Sequence, residues 1–141
     1  MTEKIHLLWQ VPKSVDRYMA EAAAAFRYGF NQACIVMCRS GLESALQDII
    51  SKVYGDEYLV VYDIEKNTQS KVDLYGMIEF AAKRGKFLDL HLAESAHEIR
   101  KTANSIAHGR FEEVEDIDFA AENILFQTRL IMSKLFLQNY R

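Results

Sequence analysis

The chain has 141 residues, half of them hydrophobic and about a quarter charged, with six glycines and one proline. These proportions exclude a disordered or collagen-like chain, and the length is that of one domain, so residues 1–141 read as a single domain with its own core. A formal net charge of −3 excludes a general attraction to polyanions, so any nucleic-acid contact requires a local basic patch.

No run of roughly 18 uninterrupted apolar residues is present, which predicts no membrane span. The opening MTEKIHLLWQVPK lacks the cationic start, apolar stretch and small-residue cleavage site of a secretory leader, and a cytoplasmic protein is expected.

In chain order, KSVDRYMAEAAAAFRY (13–28) carries Val15, Met19, Ala22 and Phe26 at helical spacing behind the start signals Pro12 and Ser14. After Gly29, a second helix runs from Phe30 to Gly55 with Ala33, Val36, Met37, Leu42, Ala45, Leu46, Ile49 and Val53 as its apolar positions. Its two cysteines, Cys34 and Cys38, share one apolar side, which predicts buried thiols; a disulfide fits that geometry poorly.

Residues 56–71 mix β-branched and aromatic residues with a polar tail, predicting a short extended piece and then a flexible loop. Asp73 can cap a third helix, LYGMIEFAAKR, with Leu74, Met77, Ile78 and Ala81 as its buried stripe and Gly85 as its end. A connection over 87–91 leads to a fourth helix over 92–108, closed by Gly109. The acidic run EEVEDID precedes a fifth helix over 119–140, which Asp116 or Asp118 can cap. The expected fold is all-α, an up-and-down bundle of about five helices.

Chemistry concentrates on the fourth helix. At about 100° per residue, Leu92, Ile99, Ala103 and Ile106 gather on one side, while His97, Lys101, Asn104 and His108 fall within an arc of roughly 60° on the other, with Arg100 beside them. Imidazole can move a proton near neutral pH and guanidinium can hold a phosphoryl group, so the stripe suits phosphate chemistry without a metal or other cofactor. His97 and His108 lie about 16 Å apart by helix rise, too far to share one metal ion. His108, at the carbonyl end of the helix, is placed to favour its protonated form.

The segments IRKTANSIAHG, CRSGLESAL and LYGMIEFAAKRG together resemble the HEPN superfamily (higher eukaryotes and prokaryotes nucleotide-binding), in particular a bacterial branch of unknown function with a Cys-Arg-x-x-Leu-Glu helix and an Arg…Asn-x-x-x-His helix. The resemblance covers nearly the whole chain and implies a helical homodimer that brings the Arg and His stripes of two copies together. In active members this composite site is a metal-independent endoribonuclease. By position, Arg100, His108 and Asn104 match the catalytic residues, Lys101 and His97 would contact phosphate or RNA, and Arg39 and Glu43 would be a supporting pair that orients the fourth helix.

The implied function is RNA binding or RNA cleavage, in phage defence or a toxin system, with RNA or a nucleotide phosphate as partner. Seven residues separate Arg100 from His108, where the active members' pattern has four to six. The alternative is a non-catalytic dimerisation or protein-interaction module, or a domain that binds a phosphate ligand without turnover.

Overall fold

A computed structural model describes residues 10–137. Most of the N-terminal run read for a leader, and residues 138–140 of the expected fifth helix, lie outside the described residues. The described residues form five α-helices: α1 (Lys13–Arg27), α2 (Asn31–Val53), α3 (Leu74–Lys83), α4 (Leu90–Ala107) and α5 (Ile117–Leu137). A two-stranded antiparallel hairpin, β1 (Val60–Asp63) and β2 (Thr68–Lys71), sits between α2 and α3. The fold is an all-α bundle.

The long α2 is the axis of the bundle and packs against all four other helices. Every residue from Cys34 to Ser51 is buried or half-buried, as expected of a helix enclosed on all sides. Its buried side chains include Ile35, Leu42, Leu46 and Ile49, which join Leu74, Met77 and Ile78 of α3, Ile99 of α4 and Ile131 and Phe136 of α5 in one core. Gly41 lets α1 approach closely, because a Cβ there would lie 3.1 Å from the Met19 sulfur and 3.4 Å from the Tyr18 Cβ. Ala33 and Val53, expected inward, are exposed at the two ends of α2, beyond the reach of its neighbours.

Local signals set the ends of the helices. Gly29 and Gly109, at φ 80° and 72°, each close a helix. In both cases the following N–H reaches back six residues' span to a carbonyl (Phe30 to Ala25 at 2.8 Å, Arg110 to Ser105 at 2.7 Å) while the glycine N–H bonds a second one, the Schellman pattern. Asp73 caps α3 by accepting from the Gly76 N–H at 2.8 Å. Asp89 caps α4 by accepting from the Leu92 N–H, also at 2.8 Å, so α4 begins two residues earlier than its apolar periodicity indicates. Asp116 caps α5, accepting from the Phe119 N–H at 3.2 Å. Pro12 occupies the N-cap position of α1, where its carbonyl receives the Val15 and Asp16 N–H groups. Ser14 bonds instead to Ser44 across the α1–α2 contact at 2.7 Å.

The segment expected to end as a flexible loop forms the second strand of the hairpin, with Val60 opposite Lys71 and Asp63 opposite Thr68. Thr68–Lys71 has no apolar alternation because both faces of the strand are exposed. The turn makes the hairpin instead. The Asp63 carboxylate accepts from the Glu65 and Lys66 N–H groups, and Asn67 adopts the left-handed conformation at φ 51°. No helix among the described residues is long and apolar enough to cross a membrane.

Candidate functional site

The site forms where α3 and α4 lie side by side, and both are fixed by the carboxylate caps at their starts. α3 turns Leu74, Met77, Ile78 and Ala81 into the core, which leaves Tyr75, Glu79 and Lys83, four residues apart, along its flank. α4 buries Leu92, Ala96, Ile99 and Ala103 and carries His97 and Arg100 on the side next to that flank.

His97 is the hub. Its ring Nε2 lies 3.0 Å from Glu79 Oε1, its Nδ1 accepts a hydrogen bond from the Arg100 Nε–H at 3.3 Å, and its ring centroid is 5.0 Å from that of Tyr75. Arg100 Nε–H can only donate, so Nδ1 carries no proton and the proton of the neutral ring sits on Nε2, donated to Glu79. The His97 side chain is 17% exposed, so both nitrogens are committed inside a nearly closed contact.

Arg100 is therefore held twice. Nε is pinned by His97, and the guanidinium carbon lies 5.2 Å from the Tyr75 ring centre, within cation–π range. Among the described residues no carboxylate forms an ion pair with Arg100. Glu79 is occupied with Lys83 at 2.8 Å as well as with His97. The Lys83 hydrogen bond first, and the His97 hydrogen bond second, hold the Glu79 carboxyl below its ordinary value, and Glu79 raises the Lys83 ammonium in turn.

The remaining candidates are spread out. Asn104 is half-buried one turn beyond Arg100, and His108 is exposed at the C-cap. Arg100 and His108 stand eight residues apart, about 12 Å along the axis. Because Arg100 bonds back to His97, its guanidinium points toward the start of the helix and away from His108.

Lys101 is exposed and lines an open groove of about 490 Å³ with Glu98, Glu113, Glu115 and Asp116. Three carboxylates of the acidic run are engaged there or nearby. Glu113 accepts from Ser105 at 3.1 Å, Asp116 caps α5, and Asp118 accepts from Asn31. Ser105 sits about 140° around α4 from Arg100, so the acidic run serves the opposite flank.

Arg39 and Glu43 on α2 form a half-buried ion pair at 3.1 Å, with side chains 33% and 35% exposed. The Arg39 Nε is buried and has no hydrogen-bond partner among the described residues. Cys34 and Cys38 are buried free thiols. The Cys38 thiol, hydrogen-bonded to Cys34 and buried, is pushed up, while the hydrogen bond from Cys38 draws Cys34 down.

Sequence reasoning missed Tyr75 and Glu79. The available signal was the polar i, i+4, i+8 run Tyr75–Glu79–Lys83 on the non-core side of α3, which cannot be matched to His97 until the two helices are seen side by side. Among the described residues no group of histidines, cysteines or carboxylates is arranged to hold a metal ion. No family model, curated protein or solved structure matches the chain.

Proposed function

We propose that this protein is a HEPN-like RNA-binding domain that grips the phosphate backbone with Arg100 and, as a pair of copies, cleaves RNA without a metal. The observation that carries this reading is the anchored Arg100, a guanidinium fixed by His97 and Tyr75 and paired with no carboxylate among the described residues. Such a group meets a phosphate with its donors already oriented.

The divergence of Arg100 and His108 supports pairing. One chain cannot set both groups on a single phosphate, whereas a second copy can bring its His108 to the Arg100 of the first. His108, exposed and at a helix C-terminus, would move the proton of the 2′-hydroxyl attack, and Asn104 would orient the phosphate between them.

The same divergence supports a second reading, phosphate binding without turnover, in which His108 plays no part. Purified protein incubated with mixed RNA in chelator separates the two. Cleavage by wild type, lost in His108→Ala and Arg100→Ala variants that remain folded, supports the nuclease. Binding without cleavage supports the second reading, and cleavage by the variants at the wild-type rate removes the nuclease. Light scattering that finds only monomer at tens of micromolar removes the composite site.

A further inference from the structure

We infer that Glu79 and His97 are the positioning residues of Arg100, with neutral His97 Nδ1 as the catch that holds the guanidinium in its anion-binding pose. This inference rests on the reading of Arg100 as the phosphate anchor. It gives His97 a different task from direct phosphate contact, since neither ring nitrogen is available to a ligand.

The catch works in one protonation state only. Glu79 accepts a hydrogen bond from the Nε2–H and so leaves Nδ1 as a lone-pair acceptor facing the Arg100 Nε–H. A second proton goes on Nδ1, which abolishes the acceptor and sets one N–H against another, with two cations adjacent. Arg100 is then released from its pose, retaining only the Tyr75 ring contact.

The charged and titratable groups around the ring are consistent with this. From α3, Glu79 touches it directly, Lys83 neutralises that carboxylate and Tyr75 packs on the face. From α4 itself, Arg100 bonds it, and Glu94 and Lys101 stand one turn away on exposed positions. Among the described residues no charged group of α2 or α5 forms an ion pair or hydrogen bond with it. Glu79 remains bonded to the ring in both states, so protonation releases Arg100 and leaves His97 in place.

The test uses the full chain carrying His108→Gln, so that RNA is bound and not cut, and reads affinity for a single-stranded RNA by fluorescence anisotropy at pH 7.5 and 5.5 at fixed ionic strength. In His97→Asn the amide oxygen replaces Nδ1 as acceptor and does not titrate. The expected result is that His97→Asn binds within about twofold of the parent at pH 7.5, whereas His97→Ala binds about tenfold more weakly, the loss expected for a hydrogen bond to a charged group. Between pH 7.5 and 5.5 the parent should weaken about tenfold more than His97→Asn, a difference that cancels the other histidines.

Coincident pH profiles, or full affinity in His97→Ala, would overturn the inference while leaving Arg100 as the anchor. Unchanged binding in Arg100→Ala would instead overturn the function it rests on. A readout without RNA is also available: nitrogen NMR should find His97 protonated on Nε2 at neutral pH and the Arg100 Nε–H protected from exchange until His97 titrates. An Nδ1–H tautomer at neutral pH overturns the inference whatever the variants do.

Discussion

Removing the carboxylate that starts α4 should loosen the helix that carries the site by an amount the structure sets. The exposed Asp89 accepts at Oδ1 from the N–H of the buried Leu92 at 2.8 Å. Alanine there leaves that donor without a partner and costs about 1 kcal/mol. Loss of a negative charge at the positive end of the helix adds a few tenths, roughly 0.3 kcal/mol. For a chain of this size each kcal/mol lowers Tm by roughly 3 to 4 °C, so Asp89→Ala should melt about 4 °C below wild type.

Asparagine keeps the accepting oxygen, and Asp89→Asn should stay within about 0.5 kcal/mol of wild type. Asp73→Ala, at the more exposed cap of α3, should cost somewhat less, and the two losses should add because they serve different helices. Thermal melts by circular dichroism, with urea titrations to check that the unfolding slope is unchanged, provide the measurement. An Asp89→Ala protein that melts with wild type, or an Asn variant as unstable as the Ala variant, would refute the capping argument.

Three further outcomes follow from the packing. Leu46, fully buried at the centre of α2, should cost roughly 3 kcal/mol as Leu46→Ala in urea unfolding, whereas Val61→Ala in the exposed hairpin should change stability by under about 0.5 kcal/mol; equal losses would contradict the placement of the core. Cys34 and Cys38 are buried and Cys38 is raised, so a thiol reagent should label neither at a useful rate until the protein unfolds; fast labelling of the native protein would show the core to be open there. Glu79 sits below its ordinary value of 4.5, so the stability it contributes is present above that value and is lost as pH falls through the depressed one. The difference in Tm between wild type and Glu79→Gln should therefore shrink below about pH 4.5, and a constant difference down to pH 3 would argue against the Lys83 and His97 partners.

The helices were legible because their cores repeat at helical spacing and their ends carry local chemistry. Leu74, Met77, Ile78 and Ala81 are buried as their period requires, and Asp73, Gly29 and Gly109 act where their residue types suggest. The second strand was not legible, since Thr68–Lys71 buries neither face and its pairing depends on the Asp63 turn. The polar face of α4 was legible as a set of residues but not as an arrangement. Periodicity assigns His97, Arg100 and Lys101 to one side of a cylinder, whereas neighbouring elements divide that side. α3 takes His97 and Arg100, and the acidic run shares its groove with Lys101. Contacts between residues 18 apart, such as Glu79 with His97, depend on helix packing, which no local pattern encodes.

The most direct test of Arg100 as the RNA anchor is the salt dependence of RNA binding in wild type, Arg100→Lys and Arg100→Ala. Arg100→Ala should weaken binding about tenfold or more and lower the slope of log affinity against log salt by about one, the signature of one lost phosphate contact. Arg100→Lys should recover the slope but not the full affinity, because lysine cannot keep the His97 bond and the Tyr75 contact in the same geometry. Wild-type affinity and slope in Arg100→Ala would show that Arg100 does not hold RNA.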